Sequence, residues 1–277
     1  MTSTTAPSAM RQIGMISQFE VTKRFINPGG MIALLAYVLI WALILLYPVQ
    51  SAADFLVNPM FKEFVVGLYG PGAFDTLFDA PVPEYAVLWC ISLYLFPLFS
   101  LFICADQFCS DKQRGTFRFL TLRVSRSQLF FGRFIGQMAI QALLICVTLV
   151  ATLLLVLIRD ASLLLPSLSS ALIILLNLIV VIMPYVALMA VFSLIAKTAR
   201  QASIFAIVLW VIASMVISII NMQYPALEFL HWVLPGSQIS SMINSLGINA
   251  LIYAPIPLIQ TVCFLLLGHS IMNRSKI

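Results

Sequence analysis

Few side chains in this sequence are equipped for chemistry, and their spacing narrows what they can do. Two histidines, His231 and His269, and five cysteines, Cys90, Cys104, Cys109, Cys146 and Cys263, are the candidates for metal ligation or nucleophilic attack. The cysteines all lie in or beside apolar runs and form no C-x-x-C pair, and their odd number opposes a disulfide framework. They read as small apolar residues packed in helices. The histidines stand apart, without the H-E-x-x-H spacing that sets two imidazoles and a general base on one helix face. No G-x-x-x-x-G-K-[ST] loop offers backbone amides to the phosphates of a nucleotide, so the chain does not hydrolyse nucleotide by that route. Twelve methionines are scattered as filler rather than grouped as soft ligands. No catalytic residue and no metal site is assigned.

Charge is concentrated in one place. Residues 105–134, ADQFCSDKQRGTFRFLTLRVSRSQLFFGRF, carry Asp106, Asp111, Lys112, Arg114, Arg118, Arg123, Arg126 and Arg133 in a chain otherwise nearly free of charge. SDKQRGT is suited to cap and open a short helix, with Phe117, Phe119, Leu120 and Leu122 as apolar anchors. The segment far exceeds the roughly 2–8 residues that join neighbouring helices. Long structured loops of this kind dock something, here lipid headgroups or a protein partner.

The elements that position these residues belong to a membrane protein. Of 277 residues, 62% are apolar and 9% charged, where soluble domains carry about 25%. That is too little charge to cover a soluble fold, so apolar surface faces lipid. Six runs meet the requirement of about 20 mostly apolar residues: 30–48, 85–105, 134–158, 168–195, 202–220 and 251–272. Barrel strands, about 10 residues long and alternating, do not fit. The even spread of the runs predicts a single membrane domain over 1–277. Lys, Arg, Asp and Glu are kept to the ends of the runs, where Glu84, Asp106, Arg133 and Arg159 stand.

Basic residues alternate between the two sides. The N-terminal stretch, the loops at 106–133 and 197–201, and the C-terminus hold thirteen of the fifteen Lys and Arg. The positive-inside rule makes these parts, and both termini, cytoplasmic. The acidic loop at 49–84 and the nearly uncharged loop at 221–250 face outward. The net charge of +5 is thus a mark of topology rather than of nucleic-acid binding. The opening MTSTTAPSAM is polar, has no apolar core and does not read as a cleavable signal peptide.

Three further segments have predicted forms. QFEVTKRFINPGG predicts an interfacial helix over about 16–28 on the inner surface. Phe19, Phe25 and Ile26 enter the interface, Glu20, Lys23 and Arg24 stay wet, and Pro28 turns the chain inward. Loop 49–84 is punctuated by NP at 58–59, GPG at 70–72 and PVP at 81–83, with a short surface helix at FKEFVVGLYG. Residues 226–246 predict short re-entrant helices broken at Pro235–Gly236, with Tyr224, Phe229 and Trp232 at the membrane boundary.

The middles of the runs carry only uncharged polar residues: Ser92, Gln141, Thr148, Asn177, Ser193, Ser214 and Ser218. Such groups serve helix–helix hydrogen bonds, worth about 0.6–2 kcal/mol each, or line a weakly polar path. Ion-driven carriers keep ionisable groups at membrane depth. If this chain moves a solute uphill, the energy enters from another subunit.

The order of these parts resembles the permeases of ABC-2 type transporters. The cytoplasmic loop of that family has an acidic residue, GT, an apolar helix, an SR-like pair and a basic residue before the third span. Here these are Asp111, Gly115–Thr116, Phe117 to Leu122, Ser125–Arg126 and Arg133. Glu20 and Pro28 match the family's elbow helix, Pro97 the proline of its second span, and Pro235 the break before its last span. Two positions depart from the pattern. Asp111 precedes Gly115 by four residues where most members have a closer Glu, and Arg123–Val124 stands where a Pro is usual. The permeases most similar in size pair with a separate ATPase, in copper-site maturation, drug-efflux and sodium-efflux systems.

The resemblance implies an all-α membrane protein with six transmembrane helices. An N-terminal elbow helix, a cytoplasmic coupling helix between the second and third spans, and short re-entrant helices before the sixth complete it. It implies a non-catalytic, multi-pass subunit in the bacterial cytoplasmic (inner) membrane, without a cofactor of its own. Its partners would be ABC ATPase subunits holding ATP and Mg, and a second identical or related permease. Asp111, Gly115, Thr116, Phe117, Phe119, Leu120, Arg123, Ser125 and Arg126 would couple to the ATPase, with Glu20, Lys23, Arg24 and Pro28 in the flanking elbow. His231, Trp232, Pro235 and Gly236 would belong to the outer gate. An exported hydrophobic or amphipathic cargo is implied. Two alternatives stand beside it. One is an ATP-driven module for mechanical work, signalling or cofactor maturation without bulk export. The other is an intramembrane lipid-modifying enzyme, which needs ionisable or metal-binding groups converging at one depth.

Overall fold

The computed structural model describes residues 8–69, 75–243, 245 and 247–274. The first seven residues, the GPG turn at 70–72 and Lys276 lie outside the described residues. Among those described, every regular element is helical.

Helix α1 (Ala9–Ile26) ends at Asn27, and Pro28 then opens α2 (Pro28–Ile44) from the first helical position. A π-helical stretch (Leu45–Val49) and α3 (Gln50–Val57) prolong it into one 30-residue span. Pro48 lies inside the π stretch. The wider turn absorbs the missing N–H, so the helix passes the point where the hydropathy pattern stops. Two short helices, α4 (Pro59–Tyr69) and α5 (Asp75–Phe78), lead to α6 (Pro83–Ile103). The charged segment folds as α7 (Cys109–Gln113) and α8 (Thr116–Arg123). The long helices α9 (Arg126–Arg159), α10 (Leu164–Ile195) and α11 (Ala199–Gln223) follow. A 3-10 segment (Pro225–Val233), α12 (Ile239–Ile243) and a second 3-10 segment (Gly247–Tyr253) precede α13 (Pro255–Arg274). The last helix starts at its proline because the residue before a proline avoids the α region.

Among the described residues, six helical stretches are long and apolar enough to cross a bilayer: Pro28–Val57, Pro83–Ile103, Arg126–Arg159, Ala161–Ile195, Ala199–Gln223 and Pro255–Arg274. The chain is a multi-pass membrane protein. At about 1.5 Å per residue, the 34 residues of α9 reach about 51 Å, against about 30 Å of hydrocarbon. Its charged first turns, with Arg133, are the part that leaves the apolar layer.

Helix α10 is the axis of the bundle and packs on α6, α9, α11 and α13. At one end of the core, Trp41 stacks on Phe96 with ring centroids 5.0 Å apart, among Tyr37, Trp89, Ile145 and Leu178. Several polar groups inside the bundle are bonded across helices. The Tyr37 hydroxyl donates to the Leu144 carbonyl at 3.0 Å and lies 2.7 Å from the Thr148 hydroxyl, and Tyr85 donates to Leu149 O at 3.0 Å. These bonds tie α2 and α6 to α9. Ser92, Ser193 and Ser214 instead donate back into their own helices.

Helix α1 lies along the first turns of α9. Gly132 and Gly136, four residues apart on α9, make the close approach possible. A Cβ at Gly132 would sit 2.8 Å from Ile16 Cβ, and one at Gly136 would sit 2.9 Å from Glu20 Cβ. Small residues at this spacing let two backbones meet. Replacing Gly136 by Leu should therefore lift α1 from α9 and cost about 1–3 kcal/mol, as overpacking does. Thermal unfolding of the detergent-purified protein should report the loss. Gly14→Ala, which meets nothing within 4 Å, should leave the transition in place.

Candidate functional site

The site is organised by one cation. Arg133 projects from the second turn of α9 and is 3% exposed. Its Nη2 pairs with Asp111 Oδ2 of α7, and its Nη1 donates to the Gln107 carbonyl. Its Nε lies 3.5 Å from Glu20 Oε1 of α1. The guanidinium carbon stands 5.0 Å from the centroid of the Phe108 ring, within cation–π range. The planar fork thus reaches three chain segments at once, as a single-point ammonium does not. Glu20 is buried here, contrary to the expectation that it stays wet, because its carboxylate is the second counter-ion of Arg133.

Asp111 is held on both sides. The Thr116 hydroxyl donates to its Oδ1 at 3.0 Å, closing the α7–α8 turn through Gly115, whose φ of +67° suits glycine. Burial pushes the Asp111 carboxyl up. The charge and hydrogen bond of Arg133, the charge of Lys23 and the Thr116 hydroxyl outweigh that, and the group ends below the ordinary carboxylate range. A lowered carboxylate stabilises the folded arrangement above the unfolded value of about 4, and that contribution is lost as pH falls through the lower native value.

Two more basic residues fasten this segment to distant helices. Lys112 Nζ donates to Leu194 O at 2.7 Å and to Ala196 O, capping the end of α10. Burial draws the Lys112 ammonium down from its usual range, with Cys109 opposing. Arg126 Nη1 donates to Met272 O and Asn273 O at 3.1 Å each, capping the end of α13. Cations are favoured at helix C-termini, where carbonyls lack partners. Arg24 Nη2 donates to Ile103 O at the end of α6. Ser125 caps α9 in a box with Gln128.

The expected coupling residues divide by direction. Phe117 is 1% exposed and packs with Phe108, Phe130, Leu194 and Met272, while Leu120 is partly buried against the same group. Asp111, Ser125 and Arg126 are bonded within the chain. Phe119 is 70% exposed, and Leu122, one turn on, is 82% exposed beside exposed Arg123. Pro28 is exposed, and Lys23 and Arg24 are partly buried. Spacing alone pointed to neither the inward fasteners Lys112 and Gln107 nor the outward prominence of Leu122.

The residues expected at the opposite end form a second constellation. Gly236 breaks the segment with φ +92°, and a Cβ there would run into the Tyr185 hydroxyl. Side chains from four spans satisfy the irregular backbone. Trp210 Nε1 donates to Pro235 O at 3.3 Å, and Gln260 Nε2 to Trp232 O at 2.7 Å and Leu234 O at 3.0 Å. Trp89 Nε1 donates to Met242 O at 3.2 Å, and Asn177 Nδ2 to Gly247 O at 3.5 Å. A cavity of about 390 Å³ lies between this segment, α6 and α11, lined by Tyr94, Ser214, Ser218, Asn221 and His231. His231 and Trp232 are exposed, with ring centroids 6.5 Å apart.

Residues 5–271 match the family described as ABC-2 family transporter protein. No curated protein matches the chain.

Removing Arg133 strands two buried carboxylates. Arg133→Ala should lower the stability of the detergent-purified protein by about 3–5 kcal/mol, the usual cost of breaking a buried pair. Arg114→Ala, at an exposed position on the same segment, should change it by less than about 0.5 kcal/mol. Thermal unfolding of the two variants side by side checks the contrast.

Proposed function

From the membership of this chain in the ABC-2 transporter family, we propose that it is the permease subunit through which a separate ATPase drives export of an amphipathic solute. It is the membrane component of an ABC transporter, and such components are generally non-catalytic and associate with ABC ATPase subunits. ATP and Mg bind in that partner. The observation that carries the coupling proposal is the two-sidedness of 106–133. Its inner face is fastened by Arg133, Lys112 and Arg126 to α1, α9, α10 and α13, while Phe119, Leu122 and Arg123 are left uncovered.

An aromatic, a leucine and an arginine on one short helix suit insertion into an apolar groove of a partner. Force applied to α8 passes through Phe117 and the ion pairs into four helices together. The balance of basic residues supports a cytoplasmic position for this end and for both termini, in a bacterial inner membrane. At the other end, the segment broken at Pro235–Gly236 acts as the outer gate above the cavity lined by Ser214, Ser218 and Asn221. Helix α11, the least buried of the spans, has the face to meet a second permease, identical or related.

The test replaces the uncovered face and nothing beneath it. Phe119→Asp with Leu122→Asp should reduce recovery of the ATPase on the affinity-tagged permease by at least about thirtyfold, since interface anchors of this kind are worth about 2 kcal/mol each. Membrane insertion and thermal unfolding should stay unchanged, because both side chains are exposed. Undiminished ATPase recovery refutes the proposal.

A further inference from the structure

Away from α7 and α8, at the end of the bundle where α6 begins and α9 ends, a groove of about 490 Å³ runs between the α2–α3 span and α9. Leu46, Leu154 and Ile158 form its sides and are 56%, 57% and 88% exposed, so the groove opens sideways toward lipid. Asp54, Glu84 and Arg159 form its charged end, where Glu84 is buried and Asp54 and Arg159 are exposed. The 21 residues of α6 span about 31 Å, one hydrocarbon thickness, which sets Glu84 in its first turn at headgroup depth.

Glu84 is 2% exposed. Its Oε1 lies 3.0 Å from Arg159 Nη1, but its Oε2 is buried with no hydrogen-bond partner among the described residues. A buried carboxylate oxygen calls for a donor. Two carboxylates against one guanidinium leave this end of the groove net negative, so the donor it favours is cationic. Arg159, exposed beside it, offers the complementary charge for an anion. The occupant must therefore carry an apolar chain, an N–H-bearing cation and an anion a few atoms away.

We infer that this groove binds an aminophospholipid of the phosphatidylethanolamine type, its ammonium on Glu84 and Asp54, its phosphate on Arg159, and its chain along Leu46, Leu154 and Ile158. Phosphatidylcholine keeps the charges but has no N–H to give Oε2. Phosphatidylglycerol lacks the cation. The inference rests on the placement of the chain in a membrane and not on the coupling proposal, so the two can fail separately.

Native mass spectrometry of the detergent-purified full chain, with the three lipids at equal concentration and matched acyl chains, tests it. Phosphatidylethanolamine should be retained at least tenfold over the other two. Glu84→Gln should reduce it to the level of phosphatidylcholine. Because that change strands Arg159, Leu154→Trp provides a second variant that fills the groove and leaves the ion pair intact. It should abolish the preference with the unfolding temperature unchanged. Asp79→Asn, whose partner Lys62 lies in an exposed pair outside this groove, should keep it. Equal retention of the three lipids by the unaltered chain overturns the inference, as does a preference that survives either groove variant.

Discussion

A guanidinium buried at the mouth of a membrane bundle cannot be left half paired. Desolvating it costs several kcal/mol, recovered only when every side of the group meets charge or a hydrogen-bond acceptor. Arg133 draws in Asp111 and the Gln107 carbonyl by hydrogen bonds, Glu20 by an ion pair at 3.5 Å, and the ring of Phe108. The close glycine seam between α1 and α9 is what brings Glu20 within reach. The Asp111–Thr116 bond and the left-handed Gly115 in turn hold α8 at a set angle to α7. Seam, turn and loop all meet at this one charge.

The same logic extends across that end of the molecule. The carbonyls that end α10 and α13 would be unsatisfied at the edge of an apolar layer, and Lys112 and Arg126 supply them with cations. Loop 106–133 thereby touches the ends of the helices that build the core. The other end solves a like problem with neutral groups. Non-helical backbone near lipid needs donors from surrounding protein. Trp89, Asn177, Trp210 and Gln260 provide them from four different spans. Helix α10 runs between the two ends and is the most buried of the spans.

Much of this was legible in the residues, and the rest was hidden for definable reasons. Hydropathy marks six spans because lipid tolerates few alternatives to a long apolar helix. SDKQRGT announces a turn and helix start because glycine alone accepts the φ at 115 without strain. Direction within α8 was not legible. Phe117 and Phe119 are the same residue type two positions apart, and an eight-residue helix has too few turns for periodicity to say which one faces the core. Glu20 looked solvated because a local pattern cannot reveal a partner on a distant helix. The first apolar run ends at 48, yet the helix continues through Pro48, because a π turn leaves no mark in composition. Gly132 and Gly136 did carry a readable signal, their four-residue spacing in a run entering the membrane.

The charges of this chain share one property that bears on how it is driven. Arg133 with its two carboxylates lies at one end of the bundle, and Glu84 with Arg159 lies at the other. A gradient-driven carrier needs an ionisable group at membrane depth that exchanges protons or ions between two sides. Charges paired at helix ends cannot make that exchange without giving up partners whose loss exposes buried charge. They act instead as fasteners, rigid where they sit and connected through packed helices. A structure fastened in this way transmits displacement well and harvests ions poorly. That is consistent with the proposal that work is delivered mechanically, through α8.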